Sequence, residues 1–297
     1  MMTMMKRCSL LLVVALVAIG AHAQLLWKVS GNGLARPSYI LGTHHLAPAS
    51  MLEEIPGMNQ AFEGCDVVVG EIEQKALTSP DGKMAALQAV IAPADSTLDK
   101  LLSPEEYQLV EKAFNKSCGG MALGIPIPFS MLNRLKPAAV SMIMLMMPLM
   151  GQVTGDTEKD FIDMAVQKRA SDMGRPTLGL ETLEEQIGLA FNSPLTEQAE
   201  LLVYQCQQEE TEADQSENLL EAYKSQDMSR LEIFTTYSNS EVSDKWVYDR
   251  NRNWVEKLVT MMPERACLVC VGAGHLPGDQ GLLQLLRDEG YTVEPMQ

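Results

Sequence analysis

Three of the four histidines in the chain lie in two segments of the form Gly-x-x-His, at opposite ends of the sequence. The first segment begins at Gly42 and contains His44 and His45, whereas the second begins at Gly272 and ends at His275. Imidazole is the commonest metal ligand and can also move protons near neutral pH. A single histidine after a strand is usually a hydrogen-bonded structural residue. Two matching segments also fit a catalytic metal site, which needs imidazoles, a carboxylate and an open position.

Two glutamates follow apolar runs in a similar way. Glu71 comes directly after Gly70, and Glu181 comes directly after Leu180. Glu73 is an alternative to Glu71, because residues two apart point the same way in an extended chain. We favour Glu71, since it directly follows the glycine at the end of the predicted strand. Glu181 could also serve only to open the next helix.

A late amphipathic helix, predicted from Lys245 to Met262, carries an arginine on its apolar face. Arg250 shares that face with Trp246, Val247, Trp254 and Leu258 by helical spacing. A guanidinium on a buried face needs a carboxylate, a phosphate or an aromatic ring as its partner. Arg250 could therefore stack between the tryptophans or bind a substrate oxyanion.

Strands and helices alternate along the chain, which predicts an α/β fold. We expect a mixed, largely parallel central sheet flanked by helices. The predicted strands are Leu25–Ser30, Ser38–Gly42, Asp66–Ile72, Thr177–Leu180, Ala266–Val271 and Tyr291–Glu294. In open α/β sheets, ligands lie beyond the carboxyl ends of the strands. Parallel strands would therefore bring the histidines and the glutamates to one edge of the sheet.

The middle of the chain, about residues 100–240, predicts a helical insertion. Ser103, Pro104 and Glu106 are typical of a helix start with a capping box. The methionine-rich segment Lys136–Met150 fits a buried core helix, or else a groove for an apolar peptide or lipid. The acidic segment Thr196–Tyr237 predicts two surface helices separated near Asp227.

The N-terminus predicts a signal peptide over residues 1–23. Lys6 and Arg7 precede the apolar run Leu10–Ile19, and Ala21-His22-Ala23 has the form of a cleavage site. An uncleaved N-terminal anchor is the alternative. We expect export to the periplasm or the medium and one domain over residues 24–297, with no stable membrane span.

Charge and cysteine content exclude some functions. The net charge of −16 argues against nucleic acid as a partner. Cys118 and Cys206 lie in polar segments and could pair, although sequence does not establish this. Cys267 and Cys270 resemble a metal or redox pair. We interpret them instead as two separate buried thiols, because positions i and i+3 of a strand point to opposite faces.

Five separated segments together resemble the TraB/GumN family, which is related to the Tiki-type metalloproteases. They read LLWKVSGNGLARPSYILGTHH, DVVVGEIE, LGLETLEEQ, DRNRNWVEKL and VGAGHLPGDQGLLQLLRDEGYTVEPM, and they span the chain from about Leu25 to Pro295. The resemblance assigns the two Gly-x-x-His motifs of the family to Gly42–His45 and Gly272–His275. It assigns the glutamate of the family to Glu71 and the arginine to Arg250. Glu181 matches a Leu-Glu-Thr segment, and His44 fills a slot that is often apolar in the family.

The resemblance implies a metal-dependent hydrolase that cleaves a peptide or protein substrate. Its divalent ion would be manganese or cobalt, with zinc also possible. His45, His275 and Glu71 are the expected metal ligands, and Glu71 is the general base if it is not a ligand. Arg250 is expected to stabilise the oxyanion. Glu181 is expected to orient a histidine or to make another supporting contact.

Two other functions stay open on sequence alone. The methionine-rich segment and the acidic helices would suit a non-catalytic protein that binds a peptide or a lipid. An esterase is a weaker alternative, because the chain has no Gly-x-Ser-x-Gly elbow. The oligomeric state is not predicted.

Overall fold

The computed structural model describes residues 24–44, 47–119, 121–122, 125–126, 128–150, 161–208, 212–226, 230–231 and 244–296. The predicted signal peptide and His45 lie outside the described residues.

Six strands of the described chain form one sheet. They are β1 Leu26–Gly31, β2 Ser38–Thr43, β3 Val67–Gly70, β6 Thr177–Gly179, β7 Cys267–Gly272 and β8 Tyr291–Pro295. Their order across the sheet is β6-β3-β7-β2-β1-β8. Strands β6, β3, β7 and β2 run parallel, whereas β1 is antiparallel to both β2 and β8. This confirms the mixed, largely parallel sheet. A separate ribbon pairs β4 Met121–Ala122 with β5 Ile125–Pro126.

Helices cover both faces of the sheet and fill the middle of the chain. In chain order they are α1 Met58–Gly64, α2 Gln74–Thr78, α3 Pro80–Ala89, α4 Leu98–Leu101, α5 Pro104–Cys118, α6 Pro137–Met150, α7 Ile162–Asp172, α8 Leu183–Phe191, α9 Leu195–Gln207, α10 Glu212–Lys224, α11 Asp249–Met261 and α12 Leu282–Asp288. A π-helical turn, Asp244–Tyr248, leads into α11. The predicted capping box at Ser103 is present at the start of α5.

The central strands are apolar along their whole length because each buries both faces. In β7, Cys267 faces the core built by α11 and α12, whereas Cys270 faces the core built by α1, α7 and α10. Both thiols are buried, as the sequence predicted. Burial raises the pKa of Cys267 to about 12, and it raises the pKa of Cys270 well above the usual value. Neither residue is suited to redox chemistry, which requires an accessible thiolate.

The helices of the middle segment pack around a third core of their own. It includes Phe114, Phe129, Met144 and Leu202. Met144 is therefore a core residue rather than part of a groove, while Met142 of the same helix is about half exposed.

The acidic segment contains a break that the sequence did not predict, because α9 ends at Gln207 and α10 begins only at Glu212. Helix α10 ends at Lys224, close to the predicted break near Asp227, and Asp227 itself lies outside the described residues. Both helices carry buried positions, and Tyr223 of α10 is fully buried against the sheet. A helix can be acidic on one side and still bury its apolar stripe.

Over the described part of the chain, no helix is long and apolar enough to cross a bilayer.

Candidate functional site

The parallel strands end at one edge of the sheet, and polar residues follow three of them. Glu71 comes directly after β3, Glu181 lies two residues beyond β6, and His275 lies three residues beyond β7. The backbone N–H of Glu181 donates to the carbonyl of Glu71 at 2.8 Å. This bond continues the β3–β6 pairing past the strands and sets the two carboxylates side by side.

Arg250 of α11 lies at the centre of these residues. Its Nη2 donates to Glu71 Oε2 at 2.6 Å and to Glu181 Oε1 at 2.5 Å, and its Nε donates to Glu181 Oε2 at 3.1 Å. Its Nη1 lies 3.2 Å from the carbonyl oxygen of Trp246 and 3.2 Å from His275 Nε2. These five contacts account for the five N–H donors of a guanidinium.

The cluster is largely removed from water. The side chains of Arg250, Glu71 and Glu181 are only 12%, 11% and 10% exposed. Burial by itself lowers the pKa of Arg250. The hydrogen bond to Glu181 and the charge of Glu71 outweigh that effect, so the pKa is raised above its usual value. Arg250 therefore stays charged at every pH at which the protein is folded.

Two of the three kinds of partner that the sequence offered for Arg250 are present, an aromatic ring and carboxylates. The guanidinium carbon lies 4.6 Å from the ring centroid of Trp254, and the carboxylates bind the guanidinium nitrogens. Trp254 is almost fully buried, whereas Trp246 is only half-buried. The arginine is therefore stacked on one tryptophan and does not lie between two.

Two polar residues that sequence reasoning missed complete the cluster. Gln186 of α8 donates from Nε2 to Glu71 Oε2 at 3.3 Å and to Glu181 Oε1 at 3.1 Å. Asn251 is fully buried, and its Oδ1 lies 2.7 Å from His275 Nδ1. Asn251 could have been found, because it precedes Trp254 and Leu258 at spacings of three and seven on the buried face of α11.

Close approach of neighbouring atoms favours glycine at the first position of each histidine segment. A Cβ on Gly42 would lie 3.1 Å from the Cα of Ala273 and 2.7 Å from a methyl of Leu276. A Cβ on Gly272 would lie 3.3 Å from Glu71 Oε1, which the Gly272 N–H itself binds at 2.8 Å. The two segments therefore touch each other and the first carboxylate.

Glu73 and His44 make contacts with other parts of the chain. Glu73 Oε1 accepts from the Thr177 hydroxyl at 3.3 Å, which supports the preference for Glu71. The ring of His44 packs against Tyr223, with centroids 5.6 Å apart. The Tyr223 hydroxyl donates to the Gly42 carbonyl at 3.0 Å, so α10 anchors the first histidine segment. His45 itself is outside the described residues.

The acceptors around Arg250 are of the types that bind divalent cations. Glu71 and Glu181 supply carboxylate oxygens, and His275 supplies an imidazole nitrogen. Two carboxylates against one guanidinium also leave the cluster with more negative than positive groups. Within the described ranges, no group of three or more His, Cys, Asp or Glu side chains is arranged to hold a metal ion. The donor types fit such an ion, whereas their present arrangement serves the guanidinium.

The fold and the cluster define an α/β protein with a buried, charged site at the carboxyl edge of its sheet. The chain belongs to the TraB/PrgY/gumN family, whose model matches residues 25–295. This confirms the family predicted from the five sequence segments.

Two curated relatives carry names that indicate an activity. Metalloprotease TIKI1 of Danio rerio is 23% identical over 91% of this chain and 62% of its own length. Metalloprotease TIKI2 of Danio rerio is 24% identical over 91% of this chain and 60% of its own length. The chain thus spans about three fifths of the length of these relatives. No solved structure matches the chain significantly.

Proposed function

We propose that this protein is an exported metal-dependent hydrolase of the peptidase type. The observation that carries the proposal is the convergence of Glu71, Glu181, Arg250 and His275 at one edge of the sheet. The names of the two relatives support hydrolysis of peptide bonds and dependence on a metal. A peptide or protein is accordingly the proposed substrate.

His275, Glu71 and His45 are the proposed metal ligands. His275 presents Nε2 toward the cluster, and Glu71 presents a carboxylate that the Gly272 N–H already orients. His45 is two residues past Thr43, whose Cα partner in the sheet is Gly272. Manganese or cobalt is proposed, with zinc as the alternative. The ion would supply positive charge that polarises a carbonyl and eases deprotonation of water.

Glu71 and Glu181 take different parts in this proposal. Glu71, where it is not itself a ligand, accepts the proton of the attacking water as general base, a role that contributes about 10²–10⁴ in rate. Glu181 holds Arg250 through two parallel hydrogen bonds, so its proposed role is the supporting contact that positions the guanidinium.

Arg250 is the proposed group that stabilises a substrate oxyanion. Because its five donors are all engaged, it has to release one acceptor first. The Nη1–His275 contact is 3.2 Å long and longer than either bond from Nη2 to a carboxylate. Exchange of His275 for a substrate oxygen would leave all three hydrogen bonds to the carboxylates in place. Loss of one oxyanion donor typically costs about 10²–10³ in kcat.

The test is peptidase activity on a peptide library with added Mn²⁺, Co²⁺ or Zn²⁺, comparing wild type with His45→Ala and His275→Ala. Both variants are expected to lose activity by at least about 10²-fold. Arg252→Ala is a suitable control, because Arg252 lies on the exposed side of α11. Unchanged turnover in both histidine variants would reject the site.

A non-catalytic protein that binds a peptide or lipid is the second candidate. It is favoured by the fact that Arg250 already contacts the acceptor groups of Glu71, Glu181 and His275. This function predicts that ligand binding survives EDTA and His275→Ala. The methionine-rich helix α6 offers less support than expected, since Met144 is buried in the helical core.

Export is proposed from residues 1–23 alone. Sequencing the N-terminus of protein recovered outside the cytoplasm would show Gln24 as the first residue if the signal peptide is removed.

A further inference from the structure

Asn251 makes three contacts that fix the orientation of its own amide group. Its Nδ2 donates to the carbonyl oxygens of His275 and Gln280 at 3.1 and 2.9 Å. A carbonyl oxygen can only accept, so the group that faces both must be the NH₂. The atom that faces His275 Nδ1 at 2.7 Å is therefore the amide oxygen.

An amide oxygen is only an acceptor, so His275 Nδ1 must carry a hydrogen and donate it. In a neutral imidazole the other nitrogen then has a lone pair and no hydrogen. Arg250 Nη1, which is only a donor, lies 3.2 Å from that Nε2. The partners on the two sides of the ring thus require the same tautomer. The ring of Trp254, whose centroid is 4.4 Å away, packs against the imidazole and limits its rotation.

We infer that Asn251 is a positioning residue that holds His275 in the tautomer whose Nε2 lone pair faces the carboxylate–arginine cluster. The consequence of this tautomer for metal binding rests on the proposed function. A histidine that binds a metal through Nε2 needs this tautomer, which a hydrogen-bond partner on Nδ1 imposes. Asn251 is 0% exposed, so no water competes with its oxygen for the Nδ1 hydrogen.

The test measures the tautomer directly, by ¹⁵N NMR of protein labelled at histidine, with the His275 signals assigned from their loss in His275→Ala. Spectra are recorded at about pH 9, where an ordinary histidine is neutral. Wild type is expected to show a hydrogen on Nδ1 and none on Nε2. Asn251→Leu is expected to give a mixture of the two tautomers, because leucine offers no acceptor for the Nδ1 hydrogen and only the 3.2 Å contact with Arg250 Nη1 still favours the lone pair on Nε2.

Asn251→Asp separates the tautomer from general support of the fold. Aspartate keeps an oxygen for Nδ1 but cannot donate to the two carbonyls, so it is expected to retain the wild-type tautomer. Asn253→Leu is the matched control, because Asn253 lies on the exposed side of the same helix. The inference is overturned if wild type has its hydrogen on Nε2, or if folded Asn251→Leu keeps the wild-type tautomer. If Asn251→Leu does not fold, a changed tautomer in Asn251→Asp overturns it.

Mn²⁺ titration calorimetry gives a second readout. Asn251→Leu is expected to bind about 10–100-fold more weakly than wild type, as for other partners of metal-binding histidines. Asn251→Asp is expected to stay close to wild type, and equal affinity in Asn251→Leu would contradict the positioning role. If wild type binds neither Mn²⁺ nor Co²⁺ nor Zn²⁺, the proposed function fails, and the tautomer measurement alone decides the role of Asn251.

Discussion

At the scale of single residues, the site is organised by one guanidinium, which donates hydrogen bonds to several acceptors. Arg250 is surrounded by Glu71, Glu181 and His275, and each of these acceptors is largely buried. Removing one member of a buried ion pair costs more than the pair contributes, because the remaining charge loses its partner without regaining water.

The first prediction follows for Arg250→Met. It leaves two buried carboxylates facing each other, and it is expected to lower the free energy of unfolding by about 3–5 kcal/mol. Urea unfolding followed by circular dichroism measures this. Arg252→Met is the control, since Arg252 pairs with Asp249 at the surface, and an exposed pair contributes about 0–1 kcal/mol. Equal losses in the two variants would show that the buried cluster has no special place in stability.

The second prediction concerns the thiols of β7. Burial raises the pKa of Cys267 to about 12 and that of Cys270 well above its usual range. Because the thiolate is the form that reacts with alkylating agents, neither residue should be modified by iodoacetamide at pH 8 in the folded protein. Peptide mass spectrometry should find both modified once the protein is unfolded in urea. Rapid labelling of either thiol without denaturant would contradict the packing of β7.

At the scale of elements, helix starts determine how precisely the site residues are held. Among the helix starts that the structure describes, two have complete capping boxes, α5 at Ser103 and α8 at Thr182. Only the second adjoins the site, because Thr182 directly follows Glu181 and α8 carries Gln186. The two capping boxes are chemically similar, but only the one at Thr182 adjoins the candidate site.

The third prediction uses this pair. Thr182→Ala and Ser103→Ala should each cost about 0.5–2 kcal/mol of stability, as expected for the loss of a cap. Thr182→Ala should also reduce kcat/KM several-fold, because a displaced first turn moves Glu181 and Gln186 relative to Arg250. Thermal unfolding and steady-state peptidase assays provide the two measurements. A similar loss of kcat/KM in Ser103→Ala would show that stability alone explains the effect.

At the scale of the whole molecule, the sheet assembles the site from distant parts of the chain. Glu71 and Gly272 are 201 residues apart in sequence, yet the N–H of one binds the carboxylate of the other. The site therefore exists only in the folded chain, and any cation that binds there stabilises the native state.

The fourth prediction is that Mn²⁺ or Co²⁺ raises the melting temperature of protein first treated with EDTA. At a metal concentration of about 100 times Kd, the native state gains about 2.7 kcal/mol. At about 2–4 °C per kcal/mol, this corresponds to a rise of several degrees. Differential scanning fluorimetry of wild type and His275→Ala tests it, and the variant should show no shift. An equal rise in both proteins would place the ion elsewhere.

The sequence by itself determined the strands, the α/β class and the family, because apolar runs, turn residues and helix caps are local signals. It also selected Glu71, Glu181, Arg250 and His275 as candidates, since their residue types are unusual after apolar runs or within an apolar helix face. The break after Gln207 in the acidic segment was not predicted, because polar composition alone does not show where one helix ends and the next begins.

Only the tertiary structure decided how the candidates relate to one another. Strand order places β3 between β6 and β7, and this order is set by packing over long sequence distances rather than by local pattern. It placed Glu181 beside Arg250, which is one of the contacts that the sequence left open for this residue, and it added Gln186 and Asn251. Hydrogen-bond partners of buried polar groups depend on which elements become neighbours, and the spacing of residues along the chain does not contain that information.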